Sequence, residues 1–233
     1  MKVLSIATRK GGAGKSTWTM FCATSLFHIL FSKGKKVALI DFDNQKSLTN
    51  KRQKELKNPE VLSILADLFD DYENRLKSLF PVYTYTYEEY IEKYDTLNNY
   101  FDFVFLDFPG RIETPQKDVL KTIDKVAIPI VADELDIESG MSYMKMCHTL
   151  NIKAGWFLNK ETNTTYNKDI KQYAHKDYFL NVNPDLVEIK GKEGELLSIR
   201  ERPEMYRKNR STVIPFDDKE QNVFHLIKFL INN

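Results

Sequence analysis

The sequence predicts an α/β fold, a mostly parallel twisted sheet flanked by helices on both faces. Three observations carry that prediction. Short apolar runs alternate with stretches of helical periodicity, the pattern of βαβ units. The first run, "KVLSIA" (2–7), leads straight into a loop of glycines and lysines. Aspartates close the next two runs: Asp41 and Asp43 after the second, Asp107 after the third. Ligands of parallel sheets collect outside the carboxyl ends of the strands, so the loop and these carboxylates are expected to share one edge.

In chain order, residues 2–7 read as a buried strand. Ser16 to Phe31 read as a helix, with Met20, Phe21, Phe27 and Leu30 at helical spacing. "KKVALIDFD" (35–43) is a second strand, and side-chain alternation would put Asp41 and Asp43 on one side of it. Residues 59–80 are expected to be helical, with Val61, Ile64, Leu65, Leu68 and Phe69 on one face. The tyrosine-rich stretch 81–100 reads as a surface loop and helix. "FDFVFLDFPG" (101–110), "DKVAIPIV" (124–131) and "AGWFLN" (154–159) are further strands, with a short one expected in "DYFLNV" (177–182).

Composition limits the classes. The chain has 233 residues, 42% of them hydrophobic and 29% charged, enough for one substantial core, so a single domain over 1–233 is expected. A formal net charge of +1 excludes a binder of nucleic acid by bulk charge, though not a local basic patch. The two cysteines, Cys22 and Cys147, form no C-x-x-C pair, so they read as buried thiols in a reducing compartment. No apolar run reaches the ~18 residues of a membrane span. A cytoplasmic protein is the expectation.

The stretch "ATRKGGAGKST" (7–17) carries the most chemistry. Gly14, Lys15 and Ser16 fill the end of the pattern G-x-x-x-x-G-K-[ST], while Arg9 stands at its opening glycine. Gly11, Gly12 and Gly14 would let backbone N–H groups turn inward on phosphate oxygens, with Ala13 between them. The helix behind adds its N-terminal donors. Lys15 would reach the β- and γ-phosphates, and the Ser16 hydroxyl would ligate Mg²⁺. Nucleotide-bound Mg²⁺ takes one or two carboxylates, and Asp107 is placed to be one. Of Asp41 and Asp43, one would support the magnesium shell and the other orient water. Turn capping is the alternative role for aspartates at strand ends.

These motifs resemble the ParA/MinD family of P-loop ATPases. "KGGAGKST" (10–17) resembles its deviant phosphate loop. "LIDFDNQKSLT" (39–49) resembles its D-x-D-P-Q-G-N-x-T motif, and "YFDFVFLDFPG" (100–110) its second carboxylate strand. "VAIPIVADELDIESG" (126–140) and "LSIRERPEMYRKNRSTV" (197–213) are similar to its later segments. The resemblance runs in order along most of the chain, closest to small ParA-type partition ATPases.

The resemblance implies roles residue by residue. Lys10 matches the signature lysine that reaches the partner's phosphates in an ATP-sandwich homodimer. Asp43 matches the aspartate required for hydrolysis; it would orient water, being too weak a base to deprotonate it. Asp41 and Asp107 match the aspartates that hold the magnesium shell through water. Thr17 would contact the α-phosphate side, and Asn159 an adenine. ATP and Mg²⁺ are the implied ligands, and non-specific DNA and a ParB-like partner the implied macromolecules. Asn44 and Lys46 depart from the motif, standing where the family has Pro and Gly.

Residues 200–210 hold Arg200, Arg202, Arg207, Lys208 and Arg210 against two glutamates. A local positive excess of this kind suits phosphate backbones. With nothing ahead of the first strand, no separate operator-binding domain is expected. The alternative surface is a membrane, through the apolar C-terminal stretch 222–233, as in MinD-type relatives. That stretch has a single lysine where membrane-surface helices carry many, so packing on the core, capped by Asp217 and Asp218, is preferred. A metabolic P-loop enzyme is the remaining alternative; it would need an acceptor site that the sequence does not reveal.

Overall fold

The computed structural model describes residues 1–43, 45–109, 117–131, 134–161, 185–200, 206, 210–217 and 221–232. Its strands are β1 (Lys2–Ile6), β2 (Val37–Asp41), β3 (Val82–Thr84), β4 (Phe103–Asp107), β5 (Lys125–Val131), β6 (Lys153–Glu161), β7 (Val187–Glu188) and β8 (Ser198–Arg200). They form one sheet in the order β3-β2-β4-β1-β5-β6-β7, with β8 also paired to β6. Every strand pairing is parallel. From β1 the chain fills one side with β2 and the edge strand β3, returns with β4 between β1 and β2, and then builds out the other side through β5 and β6. The loop after β1 therefore opens at the point where the strand order reverses, where a doubly wound sheet leaves a crevice.

Alternation along the strands divides the core in two. Val3, Ile40, Val104, Leu106, Ile128 and Trp156 face one side. There they meet Tyr90 and Leu97 of α5 (Tyr87–Tyr100), Val119 and Leu120 of α6 (Lys117–Lys121), and Tyr143, Met144 and Cys147 of α7 (Glu134–Thr149). Leu4, Ile6, Leu39, Phe105, Ala127 and Phe157 face the other side. Their partners are Trp18, Phe21 and Leu26 of α1 (Lys15–Leu30) and Val223, Leu226, Ile227 and Leu230 of α8 (Asn222–Ile231). With helices on both faces, strands are apolar on both sides and read as continuous hydrophobic runs. Cys22 and Cys147 are buried thiols outside any disulfide, one in each half of the core.

Several elements differ from expectation. β2 stops at Asp41, so Asp43 lies in the following loop and strand alternation does not relate the two. Residues 59–80 split into α3 (Pro59–Leu68) and α4 (Tyr72–Lys77). Of the apolar face expected there only Leu65 is buried, while Ile64 and Leu68 are exposed. The tyrosine-rich stretch contributes the edge strand β3 before α5, which starts in a reciprocal capping box between Thr86 and Glu89. α8 packs on α1 and β5, as preferred from sequence. Its N-cap, however, is Gln221 with φ 59°, not an aspartate. Asp217 lies ahead of it, and Asp218 falls outside the described residues, as does the strand expected at 177–182.

Candidate functional site

The phosphate loop forms as its glycines demand. Gly12 and Gly14 have φ of 79° and 87°, left-handed values that residues with a Cβ resist. Gly14 is also hemmed in: a Cβ there would lie 2.7 Å from Asn159 Nδ2 and 3.3 Å from Trp18 Cδ1. α1 begins at Lys15 with no side-chain cap, so its first N–H groups are presented at the loop. Lys15 is buried, and its ammonium donates to the Lys10 carbonyl at 2.7 Å. Burial lowers its pKa, while Asp107 and Asp136 nearby favour its charged form.

Asp41 and Asp107 end adjacent strands and are direct register partners, so two buried carboxylates stand side by side next to the loop. Their surroundings differ. Asp41 spends both oxygens on backbone: Oδ1 accepts from Asp43 N at 2.9 Å and Oδ2 from Leu48 N at 3.1 Å. It thereby fixes the turn into α2 (Ser47–Glu55), the capping role weighed from sequence. Asp107 hydrogen-bonds the Ser16 hydroxyl, yet its Oδ1 is buried with no partner. Burial pushes its pKa up to about 7, and the charge of Asp41 adds to the rise. A buried carboxylate with one unpartnered oxygen, beside a serine hydroxyl and a second carboxylate, offers oxygen donors of the kind a hard cation takes, with the Lys15 ammonium also close by. These residues fit Mg²⁺, with Ser16 and Asp107 as the direct candidates.

Asp43 is half-buried and accepts from Gln45 N at 3.0 Å. Lys46 then caps α2 at φ 55°, so this chain puts a lysine in the left-handed conformation where the resembling motif has Gly.

Asn159 is brought to the loop, and both ends of its amide are engaged there. Its Nδ2 donates to the Ala13 carbonyl at 2.8 Å, and its Oδ1 accepts from Trp18 Nε1 at 3.2 Å. The side chain is 3% exposed. The amide therefore braces the phosphate loop and the first turn of α1. Trp18 extends the contact, meeting the Tyr206 ring edge-on at 5.4 Å, and Tyr206 Oη donates to the Arg200 carbonyl.

Of the five basic residues singled out at 200–210, Arg200 is exposed at the end of β8 and Arg210 is half-buried, its Nε without a partner. Arg202, Arg207 and Lys208 lie outside the described residues. One group at the site was missed from sequence. Asp136 in α7 is nearly buried and sits 3.1 Å from Lys10 Nζ. Its position inside the quoted 126–140 segment gave no hint, because the contact spans more than a hundred residues.

Residues 4–197 match the CobQ/CobB/MinD/ParA nucleotide binding domain. The chain belongs to that family. No curated protein matches it. Among solved structures it is similar to the MinD cell division protein of Aquifex aeolicus, at 20% identity and TM-score 0.65, covering 100% of this chain and 98% of that one. It is also similar to a putative plasmid partition protein of Borrelia burgdorferi bound to AMPPNP, at 20% identity and TM-score 0.61, covering 98% of each chain. A third is pNOB8 ParA bound to nonspecific DNA, at 17% identity and TM-score 0.55, covering 99% and 97%. At these identities the likeness is one of fold, and it agrees with the parallel sheet flanked by helices.

Proposed function

We propose that the protein is a single-domain, ParA-type partition ATPase of the cytoplasm and nucleoid. It forms an ATP-sandwich homodimer, binds DNA without sequence preference, and is released by hydrolysis. The observation that carries the reading is the buried Asp41–Asp107 pair set in register beside a glycine loop with two lysines, Lys10 and Lys15. In this reading Gly11, Gly12, Ala13 and Gly14 offer backbone donors to the phosphates. Lys15 exchanges its Lys10 carbonyl for the β- and γ-phosphate oxygens, and Thr17 lies on the α-phosphate side. Ser16 and Asp107 would hold Mg²⁺, with Asp41 supporting the site, and the charge on the phosphate oxygens would be neutralised there.

Asp43, in the loop beyond the strand, orients the attacking water. Lys10 of each protomer supplies positive charge to the partner's phosphates. Asn159 acts on the nucleotide through the loop it braces. The dimer doubles the basic stretch of Arg200, Arg202, Arg207, Lys208 and Arg210, and a ParB-like partner stimulates turnover. The AMPPNP-bound partition protein and the DNA-bound ParA among its structural relatives support this assignment.

The alternative is a MinD-like membrane role. α8 buries Val223, Leu226, Ile227 and Leu230 in the core, so insertion of this helix into a membrane would first uncover them, at about 1.5–3 kcal/mol for each side chain.

The test is binding to a random DNA duplex with ATP, ADP and no nucleotide across a salt series. ATP-dependent, salt-sensitive binding that Arg200→Ala/Arg202→Ala weakens is expected. Absence of binding in every nucleotide state refutes the DNA role and leaves the ATPase.

A further inference from the structure

The two basic residues ahead of the glycine pair are both tied to α7. Arg9 Nη1 donates to Ser142 Oγ at 2.7 Å. Lys10 Nζ lies 3.1 Å from Asp136 Oδ1, a contact in which the lysine side chain is 34% exposed and the aspartate 7%. An acid in the first turn of a helix is favoured by the helix dipole, but that favours an exposed acid as well as a buried one. Asp136 is buried, and its charge acts on Lys15 as well as Lys10. A buried carboxylate at the mouth of a phosphate loop opposes the anion that the loop is built to hold. The hydrolytic scheme above gives it no task.

We propose that Asp136 is a positioning residue that holds Lys10 on its own protomer in place of a phosphate, so that dimerisation requires the partner's nucleotide to win Lys10 from it. This rests on the reading of Lys10 as a lysine that acts across the dimer. Without nucleotide, Lys10 is neutralised at home and offers the partner nothing. When phosphates enter the loop, their negative charge falls beside Asp136. The lysine then has a stronger anion to serve across the interface. The γ-phosphate adds the charge that ADP lacks, so the exchange discriminates ATP from ADP without any further contact.

The experiment is sedimentation of the full chain with saturating Mg·ATP or Mg·ADP over a range of protein concentrations. Wild type is compared with Asp136→Asn, Asp136→Ser, Lys10→Ala and the Lys10→Ala/Asp136→Asn double variant. Asp136→Asn keeps the side-chain size and removes the charge, and Asp136→Ser checks that the effect belongs to the charge. Both are expected to dimerise with ATP at about tenfold lower protein concentration than wild type, the scale of two partly exposed ion pairs released, one in each protomer. Both should also dimerise measurably with ADP. In the Lys10→Ala background, Asp136→Asn should change nothing. Equal dimerisation of wild type and both neutral variants overturns the proposal. So does a shift that persists without Lys10, since the charge would then act through Lys15 or the nucleotide directly. Wild type that stays monomeric in ATP overturns the dimer reading itself, and the holding role with it.

Discussion

Asn159→Ala separates bracing of the phosphate loop from reading of a base. The amide makes two buried hydrogen bonds, to the Ala13 carbonyl and from Trp18 Nε1. Its removal leaves one buried acceptor and one buried donor unsatisfied. Each such group costs about 1–3 kcal/mol, so the variant should lose about 2–6 kcal/mol. That is a large share of the 5–15 kcal/mol typical of a folded domain. With a urea m-value of about 2–3 kcal/mol/M, the midpoint should fall by roughly 0.7–3 M at unchanged slope. Urea denaturation without nucleotide, followed by Trp fluorescence, reads this directly. ATP affinity should fall too, because the Ala13–Gly14 peptide loses its brace. A midpoint shift under about 0.3 M, with the loss confined to ATP affinity, would refute the bracing argument and return the residue to adenine recognition.

Other consequences follow from single residues. Lys15→Ala should abolish ATP binding in a fluorescent-nucleotide titration. Asp43→Ala should bind and dimerise but lose turnover; normal hydrolysis by that variant would end its water-orienting role. His28 is buried, with Nε2 at 2.8 Å from the Val213 carbonyl and Nδ1 facing Arg75. Burial lowers its pKa to about 4. A histidine held neutral costs nothing above its ordinary pKa, so stability should be lost as pH falls from about 6.5 to about 4, by about 3 kcal/mol in all. His28→Gln should flatten that limb of a denaturation-versus-pH profile. Lys46→Gly should relieve the left-handed backbone at the start of α2 and raise stability by up to about 1 kcal/mol, read as a denaturation midpoint.

The parts legible from sequence are those where local pattern and function coincide. β1, the glycine loop, α1 and the apolar strand ending at Asp107 each carry their signal within a dozen residues. β3 was hidden because it is three half-buried residues at a sheet edge, too short and too polar around its tyrosines to alternate. α3 misled in the other direction: its periodicity is real, but only Leu65 of the helix is buried. The residues that complete the site were illegible for a different reason. Asn159 on Ala13 and Asp136 beside Lys10 are contacts between elements far apart in the chain. Spacing carries no record of them. Asp41 was legible as a carboxylate at the right edge, but its two backbone partners depend on where β2 ends.

The most direct test of the central claim is the mass of the protein in solution with Mg·ATP, measured by sedimentation alongside Lys15→Ala and Lys10→Ala. Wild type should be a dimer in ATP and a monomer in ADP, and both variants should be monomers. A wild-type monomer at saturating ATP, or a dimer indifferent to nucleotide and to Lys10, would contradict the claim.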